Sequence, residues 1–369
     1  MKILHIYKDY YPILGGIENH LRVLAEGQAA RGHEVTVLVA SPGSRTIKQN
    51  VNGVRVIKAG RLATIASTPI SLAMFFQVAR HRADITHLHF PYPFGDVAHA
   101  LFGRARRTVI TYHSDIVRQK TLLRFYSPLL RHALNRAQRI IATSPRYAQT
   151  SPFLAPHLNK VAVIPYGIDV THFASADPAQ VAQIRAQYGS PLILFVGQLR
   201  YYKGVENLIR AMAQLSGRAL FIGGETTTRR AELDRLAQEL GVVDRVVFLG
   251  EKEADLPAYY HASDVFALPS IERSEAFGIV QIEAMAAGLP LISTELGTGT
   301  SWVNVDGQTG LVVPPRDPQA LADAINSLLA DPERRQALGQ AARARALAEF
   351  TVEKMIDRVF DVYDTLLRS

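Results

Sequence analysis

Cysteine is absent from this 369-residue chain. That one absence excludes disulfides, thiolate metal centres and cysteine nucleophiles, and it fits a reducing compartment. No Asp-x-Asp pair occurs either, so a metal-bridged nucleotide diphosphate is not expected, and positive side chains are left to meet phosphate charge. The three-glycine dinucleotide fingerprint is missing, and the second apolar run closes on Val39, Ala40 and Ser41 without the acid that reads a ribose. A nicotinamide dehydrogenase is thereby demoted. Low-complexity tracts and repeats are lacking, and 48 % hydrophobic with 20 % charged residues is a globular composition. The opening MKILHIYK is too short and too polar for a secretory signal, which makes the cytosol the expected location. An uncharged stretch covers residues 62–79, but Pro69 and the polar Thr64, Ser67, Thr68, Ser71 and Gln77 leave it less apolar than a spanning helix of about 20 residues. It reads as a loop and then a buried helix from about Ser71.

What the chain does have is an uneven charge. Residues 1–175 hold 22 Lys and Arg against 8 Asp and Glu, a balance of +14, whereas residues 176–369 hold 19 against 25, a balance of −6. Between Arg104 and Arg146, ten basic residues face the single acid Asp115. Such a face meets anionic lipid headgroups or a phosphate-bearing acceptor; the plain alternative is a solvated surface. Leu122, Leu123, Phe125, Tyr126, Leu129, Leu130 and Leu134 interleave with Arg124, Arg131 and Arg136, as in an interfacial amphipathic helix. With Arg118 and Lys120 these cations form the expected membrane or acceptor face, peripheral to the inner side of the cell membrane. No nucleic-acid recognition motif accompanies the charge.

Val- and Ile-rich runs recur with helical segments between them at MKILHI, EVTVLV, VRVIK, DITHLH, TVITY, RIIAT and VAVIP, and read as buried parallel strands. The alternation restarts at LILFV, ALFIG, VVFLG, DVFAL, PLIST and GLVV. The length itself suits two domains. The expectation is an α/β protein of two Rossmann-like, doubly wound parallel-sheet domains, 1–172 and 173–351, with a cleft between them. Residues 352–369 form a one-faced apolar helix expected to pack back on the first domain.

Gly15 and Gly16 precede a helix, where bare backbone amides suit a phosphate or a sugar hydroxyl. His87 and His89 share one strand face, but no further Asp, Glu or His at ligand spacing completes a metal shell, so no metal site is expected. His113 ends the strand TVITY, where doubly wound sheets carry their functional groups. Arg200 and Lys203 follow LILFV and suit a diphosphate clamp, or else are two solvated loop cations. In PSIERSEAFGIVQIEAMAAGLPLIST, Glu275 lies before a helix beginning near Gly278, and Glu283 lies inside it. A carboxylate such as Glu283 takes two ribose hydroxyls, and the amides of Phe277, Gly278 and Ile279 suit a phosphate or developing anion. Glu251, in the loop 250–255, is the candidate contact to a nucleotide base.

GGIE near the start, HSD at His113, VIPYGID, FVGQLRYYKG, the 275–283 segment and VNVDGQTGLVVPPRD together resemble glycosyltransferase family 4, retaining enzymes of the GT-B fold. The resemblance implies that Arg200 and Lys203 hold a donor diphosphate and that Glu283 holds the ribose. It implies that Glu275 and the amides after it bind the donor sugar, that Gly16 approaches the phosphate, and that His113 lies at the reacting sugar. The family's glycine run after the second strand of the nucleotide domain stands here as Gly223, Gly224 and Glu225. HSDIVRQK and the segment through STELGTGTSWV look most like bacterial mannosyl- or rhamnosyltransferases of surface polysaccharide assembly. The implied reaction is metal-independent and needs no cofactor: a hexose, mannose from GDP-mannose, passes to a lipid-linked or oligosaccharide acceptor with retention. A UDP-sugar transferase, a 2-epimerase or phosphorylase on the same fold, and an inactive nucleotide-binding membrane protein are the alternatives.

Overall fold

Runs such as EVTVLV and LILFV are apolar on both faces, and strands of that kind are stable only inside a sheet covered on both sides. The computed structural model describes residues 1–13, 15–65, 68–116, 120–252 and 254–369, with the side chains of Lys120, Thr121 and Leu122 left out. It separates into two units, Met1–Gly167 with Val352–Ser369, and Ile168–Thr351.

Among the described residues, the first unit's main sheet has eight strands: β1 (Lys2–Ile6), β2 (Glu34–Ala40), β3 (Ile47–Val51), β4 (Val54–Ala59), β5 (Arg82–Phe90), β6 (Arg104–Tyr112), β7 (Arg139–Ala142) and β8 (Val161–Val163). Their spatial order is β8-β7-β6-β5-β1-β2-β4-β3. All neighbours are parallel except β3, which returns antiparallel along β4 and is exposed. The order reverses between β1 and β5, and at such a switch point the loops leaving the strand ends part to form a crevice. Helix α1 (Gly16–Ala30) follows β1 and carries Leu21, Leu24, Ala25 and Gln28 on its buried face.

Part of the stretch read as a loop is strand. Ala63–Ile65 and Thr68–Ile70 pair antiparallel, and α2 (Leu72–Arg80) follows with Ser71 Oγ accepting from the Met74 amide as its cap. Leu72 and Phe76 of α2 are exposed, so this helix is buried on one side only. No described helix is long and apolar enough to cross a membrane. Helices α3 (Pro93–Phe102) and α4 (Lys120–Arg136) pack on each other.

The second unit's six strands are β9 (Leu192–Val196), β10 (Arg218–Ile222), β11 (Val246–Gly250), β12 (Val265–Leu268), β13 (Leu291–Thr294) and β14 (Gly310–Val313). They lie parallel in the order β11-β10-β9-β12-β13-β14, reversing between β9 and β12. Helix α5 (Val205–Ala211) follows β9, and α6 (Ile279–Ala286) follows β12.

The units divide at Gly167, just before the expected boundary at residue 172. Ile168 bridges Thr351, Asp169 caps the turn Val170–Phe173, and the carbonyl of Phe173 meets His261 Nε2 at 3.0 Å. These contacts tie the segment to the second unit. Helix α7 (Val352–Arg368) belongs to the first: Met355, Ile356, Val359, Tyr363 and Leu366 are buried, and Arg107 Nε of β6 donates to the Leu366 carbonyl at 2.9 Å.

Candidate active site

In the second unit, the candidate side chains lie in the segments that follow the two strands at the switch point. Beyond β9 the chain turns through Tyr201–Lys203 to Gly204, whose φ of 63° lies in the left-handed region. A Cβ at Gly204 would sit 2.1 Å from the Pro269 carbonyl oxygen, so glycine lets the loop after β9 lie against the loop after β12. That approach joins Lys203 to Glu275: Nζ and Oε2 are 2.5 Å apart, with both side chains nearly buried. Ser270 Oγ donates to the same carboxylate oxygen at 3.1 Å, and Thr298 Oγ1 donates to the Glu275 carbonyl at 2.8 Å. Burial disfavours the charge on Lys203, yet the Glu275 carboxylate and Tyr202 together more than offset this and hold the ammonium above its usual range.

Arg200 is exposed, and its Nε donates to Gln198 Oε1 at 3.0 Å. The two cations read from the sequence as one clamp are therefore unlike: Lys203 is fixed in an ion pair, and Arg200 stands in solvent. Glu283, on α6, accepts from Tyr260 Oη at 2.8 Å. Its carboxyl is pushed up to about 6, chiefly by burial, with the Tyr260 bond and the charge of Lys203 offsetting part of the rise. Gly278 caps α6 at φ 76°, where a Cβ would meet Leu268 Cδ2 and Gln281 Nε2 at 2.8 Å. Phe277 is buried beneath this turn, Ile279 begins the helix, and the first amides of a helix have no intrahelical acceptor.

Gly223 and Gly224 follow β10 beside the loop after β9. A Cβ on Gly223 would lie 2.1 Å from the Gly197 carbonyl oxygen, and the Leu199 amide donates to the Gly224 carbonyl at 3.0 Å. Exposed Glu251, just after β11, places Oε1 only 2.7 Å from where a Gly224 Cβ would be. Glu225 turns aside to pair with Arg230 at 3.3 Å.

The first unit gathers neutral rings at its switch point instead. The expectation that His87 and His89 lack neighbouring ligands is corrected: register pairs His5 of β1 with His87 of β5, and α1 brings His20 to the same edge. His5 Nδ1 and His89 Nε2 are 3.0 Å apart, as are His89 Nδ1 and His113 Nε2. Tyr166 Oη lies 2.6 Å from His113 Nδ1, and Gln28 Oε1 lies 2.7 Å from His5 Nε2. Two triplets, His5–His87–His89 and His20–His89–His113, hold ring nitrogens within 4.8 Å of one another, close enough to gather around a metal ion. The facing nitrogens nevertheless share hydrogen-bond protons, the arrangement of uncharged rings. Burial keeps them neutral, lowering His5 to about 4, His20 to about 3, and His87, His89 and His113 well below the usual value. His113 is 1 % exposed with both ring nitrogens engaged, whereas buried His20 has no hydrogen-bond partner for either nitrogen among the described residues.

Gly16 begins α1, but the Glu18 carboxylate folds back over Gly15 and pairs with Lys8 at 3.6 Å. The start of this helix already carries an anion of its own. Arg118 lies outside the described residues, as does the side chain of Lys120. Arg124, Arg131 and Arg136 are exposed on α4, and Phe125 is 78 % exposed beside them. Tyr126, Leu130 and Leu134 are buried in the fold, which corrects the reading that gave α4's whole apolar face to an interface. Repeats of i and i+4 mark one helix face, and the sequence does not say whether protein or lipid covers it.

Sequence reasoning passed over His5, His20, Gln28, Tyr166 and Tyr260. A signal existed for Gln28 alone: it occupies an apolar position in the Leu21, Leu24, Ala25 series of α1.

Residues 14–172 match the family model Glycosyltransferase Family 4, and residues 177–345 match Glycosyl transferases group 1. The chain is 40 % identical to the O-antigen chain mannosyltransferase C of Escherichia coli, over the full length of both. It is 38 % identical to the D-rhamnosyltransferase WbpZ of Pseudomonas aeruginosa, over 95 % of this chain and 92 % of that one. Among solved structures, a sucrose-phosphate synthase from Thermosynechococcus elongatus superposes with a TM-score of 0.81 at 26 % identity, covering 100 % of this chain and 99 % of the other.

Proposed function

Because the chain belongs to glycosyltransferase family 4 and has its GT-B fold, we propose that it moves mannose from GDP-mannose, with retention, to a lipid-linked or oligosaccharide acceptor in surface polysaccharide or glycolipid synthesis. The observation that carries the donor site is the buried Lys203–Glu275 pair beside Glu283 at the second unit's switch point. Lys203, Arg200 and the first amides of α6 offset the charge that grows on the departing diphosphate. Glu283 takes ribose hydroxyls, Glu275 with the Phe277, Gly278 and Ile279 amides takes the sugar, and Glu251 takes the base. In the first unit, Gly16 is proposed to meet a phosphate and His113 a sugar.

Glu275 Oε2 already accepts from Lys203 and Ser270, so this oxygen is a poor nucleophile. That favours attack from the face the diphosphate leaves, with the leaving phosphate taking the acceptor's proton, over a glycosyl-enzyme. Side chains rather than a metal meet the diphosphate in this scheme, so turnover should survive excess EDTA. The names of the two curated relatives support a mannosyl or related donor and O-antigen-type acceptors. Exposed Phe125 among Arg124, Arg131 and Arg136 supports peripheral contact with an anionic membrane.

Thermal shift with GDP-, UDP- and ADP-sugars tests the donor, since a ligand at 100 times its dissociation constant adds about 2.7 kcal/mol of apparent stability. A shift confined to UDP-sugars would overturn GDP-mannose. Mass spectrometry of products tests the reaction class: epimerised nucleotide sugar without acceptor, or free sugar phosphate, would replace transfer.

A further inference from the structure

The ring of His113 ends a line of hydrogen bonds whose far end is an amide. A neutral imidazole has one N–H donor and one lone-pair acceptor, so fixing the bond at one end of such a line fixes every proton along it. Gln28, fully buried on α1, directs Oε1 at His5 Nε2 (2.7 Å) and Nε2 at Tyr363 Oη of α7 (3.5 Å). A carbonyl oxygen only accepts. His5 must therefore donate from Nε2 and accept at Nδ1. His89 in turn donates from Nε2 to His5 and accepts at Nδ1, and His113 donates from Nε2 to His89 and accepts from the Tyr166 hydroxyl at Nδ1. On the other arm, Tyr363 accepts from the Gln28 nitrogen and donates to His87 Nδ1 (2.5 Å), and His87 Nε2 donates to Thr111 Oγ1 (2.6 Å).

Turning the Gln28 amide over reverses every link on both arms and leaves each one paired. The line has two polarities, and the amide, with an acceptor at one end and donors at the other, selects between them. We infer that Gln28 is a positioning residue: its amide orientation, passed through His5 and His89, sets which nitrogen of His113 carries the proton. The Tyr166 proton is then committed to His113, so any further bond at that oxygen is one it accepts. A neutral amide cannot take up a proton, so the line orders protons without conducting them, and His113 acts as an oriented dipole rather than a base. Only the catalytic consequence rests on the proposed function.

The test is two-bond ¹⁵N–¹H correlation spectroscopy of the full chain labelled with ¹⁵N-histidine. Expected are Nε2–H tautomers at His5, His89 and His113 in the parent. Gln28→Glu, which still accepts, should keep them, and Gln28→Met, which offers no hydrogen bond, should leave His113 as a mixture. Turnover in Gln28→Met should fall roughly tenfold or more, as for other wrong-tautomer histidines, at unchanged KM for the nucleotide sugar. An Nδ1–H His113 in the parent, or one unchanged tautomer in folded Gln28→Met, overturns the assignment. So does uptake of zinc sulfate with loss of the His89 and His113 N–H signals. If Gln28→Met does not fold, Tyr363→Phe takes its place, since it removes the bond that holds the amide nitrogen; a mixture is expected, and an unchanged tautomer overturns. A changed tautomer with unchanged turnover overturns the positioning role. Absence of turnover by the parent with every donor would be a failure of the proposed function instead, and the spectra would still decide the tautomer.

Discussion

The two units solve one problem in opposite ways. Each sheet reverses its strand order and crowds polar side chains at the resulting strand ends, where burial demands that every group be satisfied. Apart from His20, the first unit does this with neutral histidines, tyrosines and an amide that share protons. The second does it with full charges, Lys203 against Glu275 and Glu283 under Tyr260. Neutral networks give direction and rigidity, whereas charge pairs give field strength and answer to whatever charge arrives.

Acid should separate the units most. The buried histidines of the first unit have lowered pKa values, so the folded state binds protons less readily than the unfolded chain. Their neutral pairing costs nothing above pH 6.5, and stability falls as pH drops from 6.5 through about 4 for His5 and about 3 for His20, by up to about 1.4 kcal/mol per pH unit for each group. Hydrogen exchange near pH 5 should show the first unit losing protection well before the second; equal loss in both would break the contrast.

Next in size is Lys203→Ala, which strands a buried carboxylate. It should cost about 3–5 kcal/mol of stability in denaturant melts and lower turnover about 10²- to 10³-fold. Pairing it with Glu275→Gln should restore much of the stability but not the turnover, and recovery of both would remove the ion pair from the donor site.

Glu283→Gln is smaller and opposite in sign. A raised carboxyl pKa means the folded state binds the proton more tightly than the unfolded chain, a stabilisation complete below about 4.5 and lost as pH rises through about 6. The variant, free of that buried charge, should be more stable than the parent by about 2 kcal/mol at pH 7 and bind nucleotide more weakly; equal urea midpoints at pH 7 would contradict the burial argument. Arg200→Ala should be smallest in stability, within about 0.5 kcal/mol, while donor KM rises. An unchanged KM would leave Lys203 as the working cation.

Much of this was legible in the chain. Every apolar run read as a parallel strand is one, because short Val- and Ile-rich runs suit strands packed inside a sheet. IKQNV was missed since β3 is an exposed edge strand, and its polar residues look like a loop. Glu275, Glu283, Arg200 and Lys203 were singled out by chemistry and resemblance. The Lys203–Glu275 pair was not, because it depends on Gly204 letting two loops touch. The histidine line was hidden more deeply: His5 looks like an ordinary strand residue until strand register sets it beside His87.

Tyr363 reaches Gln28 and His87 from a helix that leaves the ribosome only after the whole second unit has been made. The second unit is contiguous in the chain and can finish folding as it emerges. The first must wait with its central amide and one histidine lacking their tyrosine. During synthesis, the older half of the polypeptide is thus the later to mature, and a stop codon before residue 352 should damage the part of the molecule made first.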